Sequence, residues 1–343
     1  MAIPTTIKQL LTQCKVHGAG DAQVMLSDAE LYTLIAISMD DLGWPKSELG
    51  LTKIDMPDDN YYQIPIEWFS SLKMPWVTPQ HLLKTLVHAC RFDEDYRLYI
   101  QNLCALHRRR VKYQRILATQ SLPQLAQIVP RSLLEYGVCD TSLLSSWLIW
   151  RKWIYDIDNR SAQETGYLFE PILASCLGGT PISAPHSPVK RLDDHGNIIE
   201  KGRQVDCFVA DENLAYEFKL RVTIAASGQG RFSEELSFPR ECAMAGLIPI
   251  LLVLDPTPSS HFSELQQAFV TAGGTSYQGE EAWAYMTKKA GKIMAVFLKK
   301  YIKPPLDEME LVHQRTPLNL CLNWSDNGIS IGTETNQYKI QRV

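Results

Sequence analysis

Asp206, Glu217 and Lys219 are the residues of this 343-residue chain best placed to do chemistry. They sit in two short segments, QVDCFVA (204–210) and AYEFKLRV (215–222), whose alternation of apolar and polar residues predicts strands. Side chains alternate faces along a strand, so Glu217, Lys219 and Arg221 project together while Tyr216, Phe218, Leu220 and Val222 point the other way. The turn formers Asp211, Glu212 and Asn213 separate the segments, and a hairpin there can bring the Asp206 carboxylate beside Glu217. Adjacent carboxylates repel unless a cation lies between them. Hard oxygen ligands with an open coordination sphere suit Mg²⁺, which keeps part of its water shell and accepts phosphate oxygens. A plain reading, in which Glu217 and Lys219 form an ion-paired strand face, stays open. Asp206 fits that reading poorly, because an acid between Val205 and Cys207 in an apolar strand needs a partner.

The elements that must position these residues are legible around them. SAQETGYLFEPILASCLGG (161–179) predicts a helix that opens with Ser161 and Glu164 at capping-box spacing and closes at Gly178-Gly179. Within it Gly166, Glu170 and Ala174 fall at i, i+4 and i+8, which sets Glu170 on a stripe of small residues open to close approach. Pro171 should bend that helix. LIPILLVLD (247–255) reads as a strand buried on both faces, followed by helical patterns at 260–272 and 280–301. LNLCLNW (318–324) and ISIGTET (329–335) flank Asn327-Gly328, a strong hairpin signal. Upstream, 26–43, 78–91, 96–117 and 141–155 carry helical spacing, with Thr78 and Pro79 opening the second of these. The expectation is a mostly helical domain over 1–155 and an α/β (α+β) domain over 156–343 built round a mixed sheet.

Composition narrows the function classes. Apolar residues at 45% and charged residues at 21% describe a globular chain. No apolar run is long enough to span a bilayer, and the N-terminus lacks a secretory pattern, so no membrane role is expected. The eight cysteines form no C-x-x-C pair, which disfavours zinc and predicts reduced thiols in a cytoplasmic protein. Thirty-four basic against 38 acidic residues leave a net charge of −4, which excludes a uniformly basic surface but not a local groove. Residues 101–134 hold six basic residues and no acid. There Arg108, Arg109, Arg110 and Lys112, with Arg115 and Tyr113, read either as a helix end suited to backbone phosphates or as a solvated surface.

GYLFE (166–170), Val205-Asp206 and EFK (217–219) together resemble the PD-(D/E)XK nuclease superfamily, and within it type II restriction endonucleases, over roughly residues 161–255. Val205 stands where the family pattern has Pro. The resemblance implies a restriction-endonuclease-like core, a mixed central sheet flanked by helices, with Glu170 as the acid of its core helix, Asp206 on the first motif strand, and Glu217 and Lys219 on the second. It further implies Mg²⁺-dependent hydrolysis of DNA phosphodiesters to 5′-phosphate ends. Asp206, Glu217 and the Phe218 carbonyl would hold the metal, Lys219 would meet the attacking water, and Glu170 would reach the metal through water. Residues 221–242 are similar to the region after the motif in some restriction enzymes. Arg203, Arg221, Gln229 and Arg231 are candidate DNA contacts, since Gly228 and Gly230 bracket Gln229 in a loop able to approach a phosphate, with a plain loop between strand and helix as the other reading. The expected partners are double-stranded DNA at a palindromic site, a second copy in a homodimer, and a cognate DNA methyltransferase as a genetic rather than physical partner. Leu144–Tyr155 and Ala282–Tyr301 are candidate dimer surfaces, although the first reads more naturally as buried within one protomer. The alternatives are a repair or junction-resolving nuclease on the same fold, or a non-catalytic DNA-binding protein.

Overall fold

The structure is a computed structural model that describes residues 3–16, 23–49, 51, 54–58, 60–193, 195–220, 231–311 and 319–343. In chain order come helices α1 (Thr5–Lys15), α2 (Asp28–Leu42), α3 (Ile66–Ser71), α4 (Pro79–Phe92), α5 (Tyr96–Thr119) and α6 (Thr141–Cys176). Strands β1 (Thr180–Ile182), β2 (Lys190–Leu192), β3 (Ile198–Gly202), β4 (Val205–Val209) and β5 (Leu214–Lys219) follow. Then α7 (Arg231–Met244), β6 (Ile248–Val253), α8 (Ser260–Thr271), β7 (Thr275–Gln278), α9 (Glu280–Lys289), α10 (Gly291–Phe297) and α11 (Lys303–Leu311) precede β8 (Cys321–Ser325), β9 (Gly328–Gly332) and β10 (Gln337–Gln341). The chain divides into two compact units, one of Met1–Phe92, Leu103–Leu168 and Pro305–Val343, the other of Asp93–Asn102 and Phe169–Pro304.

Among the described residues the first unit is mostly helical, with one small sheet and a single Val16–Met25 bridge. Ser27 and Glu30 close a capping box at the start of α2, and Gly43 ends it in the left-handed conformation at φ 65°. Thr78 caps α4 by accepting from the His81 amide at 3.2 Å. Inside the unit, His107 is fully buried against Phe69, its Nδ1 sharing a 2.9 Å hydrogen bond with the Tyr61 hydroxyl. The expected hairpin forms between β8 and β9 with Ser325 opposite Gly328, and β10 adds a third antiparallel strand that the sequence pattern had not signalled. Ile329 and Ile340 of this sheet pack with Leu117 and Trp153.

The second unit is built on a five-stranded sheet of order β1-β4-β5-β6-β7. The β1/β4 and β4/β5 pairs are antiparallel, β5/β6 and β6/β7 parallel. It is the mixed sheet expected. The register sets Phe208, Ala215 and Leu251 on one face, where Phe238 and Cys242 of α7 and Phe262, Leu265 and Phe269 of α8 close an apolar core. Cys207 and Tyr216 point to the opposite face, toward the Ala174 carbonyl of α6 and the Tyr285 hydroxyl of α9. Helices therefore flank both faces. Gly178, at φ 71°, ends α6, and a Cβ on Gly179 would collide with Cys207 Sγ and the Phe208 carbonyl, so only glycine lets the chain enter β1 this close to β4.

Three sequence expectations are corrected here. The helices expected at 141–155 and from 161 are one 36-residue helix that runs through Pro171, so the boundary expected at 155/156 falls in mid-helix. The polar stretch between them continues the helix because Lys152 and Asp156 pair at i, i+4 and nothing there breaks the backbone pattern. Ser161 and Glu164 accordingly form no capping box; Glu164 instead takes Arg109 and Lys112. Finally, the helix expected over 280–301 is broken where Gly291 takes φ 65°, and its apolar residues Met286, Met294, Phe297 and Tyr301 are buried within the unit, which removes Ala282–Tyr301 as a free dimer surface.

Candidate active site

The β4–β5 hairpin pairs Val209 with Leu214, Phe208 with Ala215 and Cys207 with Tyr216. One step further along, the register carries Asp206 opposite Glu217. There the backbone ladder gives way to a side chain, and the Phe218 amide donates to Asp206 Oδ2 at 2.9 Å. Glu217 and Lys219 lie on the same sheet face as Ala215, under α7, with Lys219 Nζ 2.8 Å from Glu217 Oε1. The alternation read from AYEFKLRV is visible in the burial, Tyr216 and Phe218 being buried and Glu217 and Lys219 half-buried.

Electrostatics tie Glu170 of α6 to this group. Burial, then the nearby Glu217 charge, pushes the Glu170 carboxyl above its ordinary value, with Lys219 opposing. Burial likewise holds the Asp206 carboxyl well above the usual carboxylate range; Glu217 and Glu170 add to this, while the Phe218 amide works against it. Burial disfavours the Lys219 charge, but Glu217 and Glu235 outweigh it and raise the ammonium pKa above the normal lysine value. In the second unit Asp206, Glu217 and Lys219 meet at the end of the β4–β5 ladder, and Glu170 feels the charges of Glu217 and Lys219 from α6.

One member of the cluster escaped sequence reasoning. Glu235 of α7 lies 3.1 Å from Lys219 Nζ through Oε1, and its Oε2 is buried with no hydrogen-bond partner. A signal was present. Phe232 and Leu236 pack toward the core, and Glu235 stands three residues after the first of them, on the same inward stripe.

The basic residues fare differently. Arg203 is buried, donates to the Glu234 carbonyl at 2.8 Å, lies 3.6 Å from Glu241 and covers the Phe238 ring. Arg108 is buried against the Cys14 carbonyl. Arg109 and Lys112 grip Glu164, and Arg110 donates to the carbonyls of Tyr61, Tyr62 and Ile64 while stacking on the Tyr61 ring. This helix segment has no acid of its own because its counter-charge and acceptors come from other elements; its cations hold the first unit together. Arg221 and Gln229 lie outside the described residues, as does the side chain of Arg231, whose backbone begins α7.

Which cofactor would this cluster accept? Among the described residues no three His, Cys, Asp or Glu groups converge into a ready-made metal cage. The buried Asp206 carboxylate beside the Glu217 strand, with the Phe218 amide donating to its Oδ2, instead fits an ion that takes its remaining ligands from water and substrate. No helix among the described residues is long and apolar enough to cross a membrane, and all eight cysteines are free thiols.

A family model for ApaLI-like restriction endonucleases matches residues 54–303, which extends well upstream of the segment that carries the motif. The chain is 42% identical over 315 residues to the type II restriction enzyme ApaLI of Acetobacter pasteurianus, covering 87% of this chain and 80% of that protein. No solved structure matches it.

Proposed function

The chain belongs to the ApaLI-like restriction endonuclease family and is a type II restriction endonuclease, and from that premise we propose that Asp206, Glu217 and Lys219 form its hydrolytic centre on a PD-(D/E)XK-like core. The observation that carries this reading is the juxtaposition at the end of the β4–β5 ladder: Asp206 accepts from the Phe218 amide at 2.9 Å, beside Glu217, and Lys219 lies 2.8 Å from Glu217 on the same strand. The repair, junction-resolving and non-catalytic alternatives give way to it.

Asp206 and Glu217, with the Phe218 carbonyl, would hold Mg²⁺, and Glu170 would reach it through water. The fit rests on burial and, after it, the neighbouring carboxylate charges, which together lift the Asp206 and Glu170 carboxyls and which a bound cation would offset. When bound, the ion polarises the phosphoryl oxygen and lowers the pKa of a water molecule beside it. Lys219 keeps its proton despite burial because two carboxylates face it. Its ammonium can therefore donate to the attacking oxygen and to a non-bridging phosphate oxygen as negative charge accumulates there. Glu235 holds that ammonium from the α7 side. In-line attack would form a bond from the water oxygen to phosphorus as the bond to the 3′ oxygen breaks; the water's proton passes to bulk solvent and the departing 3′ oxygen takes one up from solvent, which leaves 5′-phosphate and 3′-hydroxyl ends.

The substrate is duplex DNA at a specific, palindromic site, cut by a homodimer in the cytoplasm and protected by a methyltransferase that is a genetic partner. Free thiols throughout support the location. Arg221, Gln229 and Arg231 stand as proposed DNA contacts; Arg203, Arg108, Arg109, Arg110 and Lys112 do not, since their heads are engaged within the chain. Incubating plasmid DNA with the protein and Mg²⁺ tests the reading. Discrete fragments are expected, whereas random nicking or intact plasmid would contradict it.

A further inference from the structure

We propose that a contiguous apolar belt, formed by residues 129–138 and the outer stripe of the first turns of α6, is the surface through which two copies of this chain associate. α6 covers two of its stripes internally. Leu144 and Leu148 bury against Leu125 and Ile128, while Trp150 and Trp153 pack against the sheet of β8–β10. A third stripe, Leu143, Trp147 and Ile154, recurs at helical spacing and stays exposed. Beside it, Leu133, Leu134, Tyr136 and Val138 are exposed by 74 to 96%. The two parts are tied together. Glu135 makes a bidentate pair with Arg151, both contacts at 2.8 Å, and the Arg151 guanidinium lies over the Trp147 ring.

Single exposed apolar residues are ordinary, but of the 23 large ones exposed among the described residues nine fall between 129 and 155, which makes this a patch and not scatter. Nine large side chains exposed by 44 to 96% make a patch on the scale of the ~800 Å² per partner that a stable interface buries.

The occupant follows from charge and stoichiometry. Arg151 is neutralised by Glu135, Lys152 by Asp156, and Asp140 caps α6 by accepting from the Ser142 and Leu143 amides. Such a surface offers little to a phosphate backbone or a strongly charged protein. An apolar patch whose charges are paired within it meets its own copy without like-charge repulsion, which suits a two-fold interface, where the same surface must complement itself. A second copy also supplies what double-strand cleavage needs, because each chain carries one Asp–Glu–Lys cluster. This last point alone rests on the endonuclease reading.

Light scattering and sedimentation on the full-length protein at micromolar concentration, without DNA, test the proposal. The expected particle has twice the 38.9 kDa chain mass. Leu134→Glu combined with Val138→Glu, and separately Trp147→Glu, should weaken self-association at least 100-fold while the circular dichroism spectrum is kept. Should a glutamate variant misfold, Leu134→Ser with Val138→Ser reads the same loss more gently. A monomeric wild type overturns the proposal, as does a dimer whose dissociation constant no folded variant changes. Asp206→Ala should dimerise like wild type whether or not it cuts, so failure of the active-site reading is seen separately.

Discussion

Lys219 Nζ lies 3.1 Å from Glu235 Oε1, a carboxylate 16 residues further along the chain and on a different element. Together with Glu217 on its own strand, Glu235 fixes the ammonium from two directions and secures its charge in a half-buried site. A group meant to meet developing charge gains most from being held in place beforehand.

Glu235→Gln should therefore lower kcat by roughly 10- to 100-fold, about 1.4–2.7 kcal/mol of barrier, with KM for DNA little changed. Glu235→Asp should recover part of the loss. Unchanged kcat in the glutamine variant would mean that Glu217 alone positions Lys219.

Lys219→Ala should remove detectable cleavage but keep metal binding, because both carboxylates remain. Titration calorimetry with Mg²⁺ and DNA reads the second half of this statement directly. Loss of the metal heat together with activity would make Lys219 a structural counter-ion for Glu217 and Glu235.

Arg109 and Lys112 both pair with Glu164, whose carboxyl they hold below its ordinary value although burial opposes its charge. The double variant Arg109→Ala/Lys112→Ala should lose about 1–2 kcal/mol of stability, less than a fully buried pair would. DNA affinity and its salt dependence should be unaltered. If these residues touched phosphates, the slope of log affinity against log salt would fall by about one per cation removed.

Burial, with Arg110 and Arg108 nearby, pushes the His107 pKa down from 6.5 to about 3. Below pH 6.5 the unfolded chain takes up a proton that the folded chain refuses, so stability falls as pH drops, and the loss levels off near pH 3. At pH 5 this one group costs about 2 kcal/mol. Denaturant melts at pH 7 and pH 5 should show that difference shrinking by this amount in His107→Gln. An equal pH effect in both proteins would mean that His107 titrates alike folded and unfolded.

What could be read from the sequence depended on how local its cause was. The β4–β5 hairpin was legible because alternation, turn residues and one buried acid all lie within residues 204–222. The capped start of α2 and the Asn327-Gly328 turn were legible for the same reason. Glu235 was hidden because its partner is set by how α7 packs on the sheet, not by its neighbours in sequence. The basic run at 108–112 misled because its counter-charges come from distant elements, Glu164 and the Tyr61–Ile64 carbonyls among them. The continuity of α6 was missed because a polar stretch in a long helix looks like a linker when the Lys152–Asp156 pairing is not weighed.

The central claim, that Asp206 anchors the hydrolytic centre, is tested most directly by plasmid cleavage with Asp206→Ala in Mg²⁺. Cleavage should fall at least 1,000-fold, about 4 kcal/mol of barrier, while the circular dichroism spectrum and binding to specific DNA are retained. Cleavage by the folded variant within a few-fold of wild type would contradict the assignment.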